Sequence, residues 1–366
     1  MRAKMVDKYL FVIPTAKLSG GAQRVMFNIA YYLVSKGEEV TVVTMSRGRV
    51  PGWNTLEAYD NFEWLSGKYS SEKSSLIPIT IKLKKLDIKN NYKYVFSSHS
   101  HVNFYLSSLK KIGFFSNAFL ISRESTVVFD RYTGNKRKWY KLTYSYLYGE
   151  QDLLICQTRF MKESLIRNLG RSPVNNTVVI PNPVNVSFIK SNIVSVPSKK
   201  YIVSCGRLIK LKQFDVLINA FNRIVDFYPE HKLVIIGDGE EGEALKNQVS
   251  YLGLNDKIIF TGNVENPYQW FSSAEIGVVA SSIEGFPNVL LEMMASGTSK
   301  IVTTPCADGL TDIPNIIITE DRSESSIVEG LMSALNNDDN YSDEFSITIR
   351  DKYSVESFWN SVLSYL

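Results

Sequence analysis

The stretch that decides the fold runs from residue 201 to residue 252: YIVSCGRLIKLKQFDVLINAF (201–221), NRIVDFYPE (222–230), then HKLVIIGDGEEGEALKNQVSYL (231–252). Tyr201–Cys205 is a short apolar run closed by glycine, which predicts a buried strand. Gln213–Phe227 has apolar residues at helical spacing, His231–Ile236 is a second strand, and Glu241–Leu252 a second helix. Strands of five or six residues alternating with helices of ten to fifteen predict a parallel, doubly wound sheet. The rhythm continues through Lys257–Thr261, Tyr268–Ser273, Ile276–Ala280, Asn288–Ser296 and Ser299–Thr303.

Working outward, the first half has the same rhythm. Tyr9–Pro14 reads as a strand, Ser19-Gly20-Gly21-Ala22 as a small-residue turn, Gln23–Lys36 as an amphipathic helix ending at Gly37, and Glu39–Thr44 as a second strand. Tyr94–Ser97, Ala118–Ser122 and Leu153–Gln157 extend that sheet. Residues 181–198 hold Pro181, Pro183 and Pro197 among Asn and Ser, without a sustained period, and read as a connection between domains. The fold class expected is therefore α/β: two Rossmann-like, doubly wound parallel-sheet domains, 1–183 and 199–353, facing a central cleft. The closing helix, 354–366, is a candidate to pack back on the first. At 366 residues the chain exceeds what one core usually supports, in agreement with two domains.

Composition narrows the function classes. No apolar run approaches the roughly 18 residues of a membrane span, and the run from Tyr9 to Ile13 is too short for a secretory signal, so a cytoplasmic protein is expected. Cys156, Cys205 and Cys306 have no metal-site or disulfide spacing and read as buried thiols. Charge is divided: residues 1–183 carry 27 Lys and Arg against 13 Asp and Glu, while residues 184–366 carry 14 against 24. A basic first half suits an anionic partner surface. Within it, Lys82-Leu83-Lys84-Lys85 and Lys136-Arg137-Lys138-Trp139-Tyr140-Lys141-Leu142, followed by Tyr144, Tyr146 and Tyr148, interleave cations with aromatics. That pattern suits an anionic membrane face; no nucleic-acid module is recognisable.

Two constellations carry the chemistry. Glu284-Gly-Phe-Pro-Asn-Val-Leu-Leu-Glu292 follows a strand, with Pro287 suited to the first helical position and Gly297 to the stop. The amides from Phe286 through Asn288 to Val289 would face a phosphate from the helix start. If helical throughout, the two carboxylates stand about 12 Å apart along the axis, the reach from a hexose to a ribose across a diphosphate. Glu284 would then bind sugar hydroxyls and Glu292 the ribose diol. The second constellation is Gly206-Arg207-Leu-Ile-Lys-Leu-Lys212, where Arg207 and Lys212 can neutralise a leaving diphosphate together. No Asp-x-Asp triplet and no cluster with metal-ligand spacing occurs, so no metal is expected. Gly237-Asp-Gly-Glu-Glu-Gly242 formally matches a dinucleotide fingerprint, but its three carboxylates would repel a pyrophosphate.

Taken together, the E-x7-E pair, the GRLxxxK-like segment with LINAF after it, VIIGDG and the early SGGAQRV loop resemble glycosyltransferase family 4, over nearly the whole chain and most densely from 201 to 303. The resemblance is closest to bacterial enzymes of O-antigen or capsule assembly. It implies the GT-B fold and a retaining, metal-independent hexosyltransferase that uses a nucleotide sugar as substrate and needs no cofactor. It places Arg207 and Lys212 on the diphosphate, Glu284 on the sugar, Glu292 on the ribose and the backbone near Gly262 on the base. Gly206, Gly237, Phe286, Pro287, Asn288 and Val289 join the donor contacts, with Gly20 and Gly21 facing the donor from the first domain. UDP-linked N-acetylgalactosamine in α linkage is the preferred donor, and a saccharide on undecaprenyl diphosphate, at the inner membrane face, the acceptor. Family members often carry a histidine at the end of a first-domain strand, where this chain has Ile121-Ser-Arg-Glu-Ser125; Arg123, Glu124, His99 and His101 stand as alternatives for that place. An epimerase of the same fold and a noncatalytic sugar-nucleotide or membrane-binding protein are the rival classes.

Overall fold

The computed structural model describes residues 6–15, 21–48, 53–194 and 199–366. The chain forms two units, the first made of Met1–Pro183 with Val355–Leu366 and the second of Val184–Ser354.

Unit 1 is ordered β1 (Lys8–Ile13), α1 (Gly21–Ser35), β2 (Glu39–Thr44), β3 (Phe62–Leu65), α2 (Glu72–Lys89), β4 (Tyr94–Ser97), α3 (Ser100–Lys111), β5 (Phe119–Arg123), α4 (Val128–Arg131), α5 (Gly134–Leu147), β6 (Leu153–Cys156), α6 (Arg159–Leu169) and β7 (Thr177–Val179). The seven strands form one parallel sheet in the order β3-β2-β1-β4-β5-β6-β7. Parallel sheets are covered on both faces, which is why these strands are apolar without a break. Leu10 pairs in register with Val95, Val95 with Leu120, and Ser122 with Leu154, so these side chains share one face. Against that face pack Ile79 and Leu83 of α2, Leu106 and Leu109 of α3, and Tyr144 of α5. The opposite face carries Tyr9, Phe11, Tyr94 and Phe96.

Unit 2 runs α7 (Val186–Ser191), β8 (Lys199–Cys205), α8 (Phe214–Ile224), β9 (Lys232–Ile236), α9 (Gly242–Tyr251), β10 (Ile258–Gly262), α10 (Tyr268–Ser273), β11 (Ala274–Val279), α11 (Asn288–Ser296), β12 (Lys300–Thr303), β13 (Ile317–Ile318), α12 (Glu324–Leu335) and α13 (Ser342–Thr348). Its six parallel strands are ordered β10-β9-β8-β11-β12-β13. The order reverses at β8, whose neighbours β9 and β11 lead away on opposite sides.

The sequence read residues 181–198 as connection alone, yet α7 forms there. Asn185 caps it by accepting from the Phe188 amide at 3.0 Å, and Ile189 anchors it in the core of unit 2. Six residues are too few to display a helical period.

The last helix, α14 (Val355–Ser364), packs in unit 1, where Trp359 lies edge-on to Tyr9 and Tyr94 at 5.4 and 5.6 Å between ring centres. Trp359 is 5% exposed. Replacing it by alanine is expected to lower stability by about 3–5 kcal/mol through the cavity left beside β1 and β4, read as a shift of the urea midpoint. An unchanged midpoint would mean that α14 contributes nothing to the unit 1 core.

Candidate donor site in the second unit

In an open parallel sheet, loops leaving the two sides of the reversal point diverge and leave a crevice at the strands' carboxyl ends. In unit 2 those loops are 206–212, after β8, and 280–287, after β11. They hold the residues singled out in the sequence.

The loops after β8 and β9 are stitched together. The amide of Gly206 donates to Ile236 O at 2.9 Å, that of Leu208 to Asp238 O at 3.0 Å, and that of Glu241 back to Leu208 O at 2.9 Å. Their approach explains the glycines of the GDGEEG stretch. Gly237 has φ +136°, and a Cβ there would stand 2.0 Å from Gly206 O; a Cβ on Gly239 would stand 2.4 Å from Leu208 O. The segment is thus a crossing of two loops. Gly237→Ala is expected to lower stability by about 3 kcal/mol or more, since strain and a backbone clash add. Gly253→Ala, at φ +70° with nothing within 4 Å, should lose only about 1–2 kcal/mol. Equal losses in chemical denaturation would refute the crossing as the cause.

Lys212 ends a single 3₁₀ turn, Lys210–Lys212, followed by Gln213 in the left-handed region at φ 49°. The turn is tied to the loop after β11, because the Ser282 amide donates to Leu211 O at 2.8 Å. Glu284 is fixed from behind by its amide, which donates to Cys306 O at 2.7 Å. The result is a direct contact: the Lys212 ammonium donates to Glu284 Oε1, as does the Ser281 hydroxyl at 2.8 Å. Both members of the ion pair retain about a fifth of their side-chain exposure, 22% and 18%. They are thus reachable by a ligand yet shielded enough for the charges to count. The Cys306 thiol, just beneath, is pushed up to about 11, by burial first and by the Glu284 charge second. Nothing in the sequence marked Ser281, although its hydroxyl orients Glu284; a serine three residues before an acidic residue is too common a pattern to stand out.

Arg207 is exposed, on the loop between β8 and Lys212, and its guanidinium makes no ion pair among the described residues. Gly206 packs beside the Lys212 stem, its Cβ position 3.5 Å from Cε. Gly262, at the end of β10 with φ +68°, accepts from the Gly237 amide at 2.9 Å. Pro287 precedes the helix as its cap, and α11 covers only Asn288–Ser296. Glu284 therefore lies in the loop, Glu292 lies in the second turn of α11 and is buried, and the single helix spanning both, with its 12 Å rise, does not form. Phe286 is buried in the core and stacks on Tyr353, which aims the loop; Asn288 and Val289 open the helix, both half-buried.

The first-unit candidates fall apart into two kinds. Arg123 and Glu124 close β5 but are 1% and 0% exposed. Arg123 donates to Ser98 Oγ at 2.8 Å and to Asn182 Oδ1, and burial lowers its guanidinium to about 9. Glu124 accepts from Ser100 Oγ at 3.0 Å and from the Tyr148 hydroxyl, and burial raises its carboxyl. The expectation that either stands at a reacting centre meets a geometric obstacle, because interior packing satisfies both. His99 is different. It caps α3 at the end of β4, half-buried, with no partner for Nδ1 among the described residues. Burial, then His101 and Arg123, lower it to about 3, so its ring is neutral at neutral pH. His101 is exposed and paired with Glu72 at 2.9 Å. Gly21 opens α1, and Gly20 lies outside the described residues. Among the described residues no group of three or more His, Cys, Asp or Glu could hold a metal.

Comparison with known proteins now adds to the geometry. The family model described as Glycosyltransferase Family 4 matches residues 19–188, and that described as Glycosyl transferases group 1 matches 199–337. The chain belongs to glycosyltransferase family 4. An uncharacterized glycosyltransferase of Haemophilus influenzae is 26% identical over 98% of this chain and 100% of that one. The N-acetylgalactosamine-N,N'-diacetylbacillosaminyl-diphospho-undecaprenol 4-alpha-N-acetylgalactosaminyltransferase of Campylobacter jejuni is 29% identical over 54% of each chain. The match thus spans about half the length of the Campylobacter enzyme. Among solved structures, Anabaena HepE in complex with UDP and glucose superposes with a TM-score of 0.77 over 98% of this chain and all of the other, at 17% identity. This family 4 member accordingly has the GT-B fold, each unit a parallel Rossmann-like sheet.

Proposed function

We propose that this glycosyltransferase is a retaining, metal-independent hexosyltransferase that extends a saccharide on a lipid diphosphate at the cytoplasmic face of the membrane, in surface-polysaccharide assembly. The observation that carries the reading is the contact of Lys212 with Glu284 at the strand reversal of unit 2. It joins a phosphate-seeking cation to a hydroxyl-seeking carboxylate where nucleotides bind in such sheets. In this reading Lys212 and Arg207 neutralise the departing diphosphate, and the amides at the start of α11 add their partial charge. Glu284, held by Ser281, accepts from the sugar hydroxyls; Glu292 takes the ribose diol and the backbone at Gly262 the base. No metal is required because two cations do its work. His99, neutral and with Nδ1 unpartnered among the described residues, is the first-unit group best suited to accept a hydrogen bond or proton. Retention rests on the family likeness. UDP-N-acetylgalactosamine and an undecaprenyl-diphosphate saccharide rest on the Campylobacter relative.

The test is nucleoside diphosphate release from a panel of UDP- and GDP-sugars, with and without a short sugar-diphosphate-lipid acceptor, in the presence and absence of EDTA. Acceptor-dependent release from one donor, unchanged by EDTA, is expected. An isomerised donor formed without acceptor and without net release of nucleoside diphosphate would replace transfer by epimerisation. Tight donor binding with no turnover on any acceptor would reduce the protein to a binding role.

A further inference from the structure

The two basic, aromatic segments of the first half are far apart in sequence but cover the same face of one sheet. Leu10, Val95, Leu120 and Leu154 share that face by register, and α2, α3 and α5 pack on it. Thr80 of α2 hydrogen-bonds Tyr105 of α3 at 2.7 Å, and Phe104 of α3 meets Trp139 of α5 at 6.0 Å. The three helices thus lie in one layer, α3 in the middle.

A helix in such a layer is expected to be polar on the side away from the core. α2 and α5 break that rule in the same way. In α2 the core residues are Ile79, Leu83 and Leu86, and at 100° per residue Ile77, Ile81 and Ile88 point roughly opposite to them. In α5 Tyr144 faces the core, Leu142 and Tyr146 point away, and Trp139 lies at the rim, meeting Phe104 on one side and open on the other. All six outward residues are more than half exposed. Lys84, Lys85, Lys138 and Lys141, all exposed, flank them. Tyr144 and Tyr148, which the sequence grouped with Tyr146, are core residues instead.

We infer that the outer face of α2 and α5 is one membrane-docking surface that inserts Ile77, Ile81, Ile88, Trp139, Leu142 and Tyr146 into the headgroup boundary of an anionic bilayer. The occupant follows from charge: α5 carries no acidic residue, and in α2 Glu72 is paired with His101 and Asp87 with Lys84. Apolar side chains ringed by exposed lysines, with Asp87 on Lys84 the one acidic partner shown among them, match a surface apolar below and negative above. The inference builds on the proposed lipid-linked acceptor, but its test contains no acceptor, so either can fail without the other.

The experiment is sedimentation of the full chain with vesicles of phosphatidylglycerol and phosphatidylethanolamine, against phosphatidylcholine alone, with tryptophan quenching by brominated lipid. Three proteins are compared: wild type, I77S/I81S/W139S/L142S, and K84E/K85E/K138E/K141E. Wild type is expected to bind anionic vesicles with quenched fluorescence. Each quadruple variant should bind at least about tenfold more weakly, while its far-UV circular dichroism and urea midpoint stay at the wild-type values and report intact folding of unit 1. Binding by the variants equal to wild type, or wild-type binding without quenching, would overturn the surface assignment. So would absence of wild-type binding, or a wild-type dimer lost in the apolar variant, which would mark the face as a contact between copies.

Discussion

Glu284→Gln is expected to lower transfer from the true donor by about 10²-fold or more while leaving free nucleoside diphosphate bound as well as before, or more tightly. The amide keeps the shape of the side chain and its place against Ser281, 2.8 Å away in the wild type. It loses the negative charge, and a hydrogen bond to a charged group contributes about 1.5–3 kcal/mol where a neutral one gives about 1. Two sugar hydroxyls facing an amide in place of a carboxylate account for the loss. Meanwhile Lys212 loses the carboxylate that holds it in the unliganded protein and becomes free for phosphate. Steady-state transfer and calorimetric titration with the diphosphate check both halves. Full transfer by the variant would remove Glu284 from the sugar, and a parallel loss of diphosphate affinity would place it on the phosphates instead. Ser281→Ala should reproduce the direction with a smaller effect, about tenfold, since it only loosens the orientation of the same carboxylate.

Lys212→Ala is expected to behave in the complementary way, with kcat lowered by about 10²–10³-fold and diphosphate affinity weakened along with it. Negative charge grows on the leaving diphosphate as the glycosidic bond breaks, so a preorganised cation there acts most strongly in the transition state. The ammonium keeps about a fifth of its exposure, and bulk water would screen it only in part. Removal also leaves Glu284 with Ser281 as its remaining hydrogen-bond partner shown at Oε1, adding a repulsive charge near the phosphates. Lys212→Arg should recover part of the rate because charge returns in a different shape. The paired variants separate the roles: diphosphate binding falls in Lys212→Ala and survives in Glu284→Gln. A Lys212→Ala enzyme within threefold of wild type would leave Arg207 and the start of α11 as the whole phosphate site.

The sheets were legible in the sequence because fully buried parallel strands are unbroken apolar runs, as in Tyr201–Cys205 and His231–Ile236. β13, with two residues, and β7, with three, are too short to leave such a trace. Within the candidate site, Glu284, Arg207 and Lys212 stand out in the sequence because they are charged residues in loops that follow apolar strands. Ser281 and Cys306 do not, since their importance comes from what they touch. Arg123 and Glu124 mislead for a related reason: a charged pair closing a strand looks the same in sequence whether it faces solvent or, as here, a shell of Ser98, Ser100, Asn182 and Tyr148.

The sequence by itself determined the α/β class, the two-sheet organisation, the family and the residue types at the candidate site, because periodicity and local charge are properties of neighbours along the chain. Only the tertiary structure decided that Lys212 and Glu284, 72 residues apart, meet as a pair, that GDGEEG is a loop crossing, and that α2 and α5 share an outer face. Each of those depends on strand order and register, which bring together side chains whose relation no local pattern encodes.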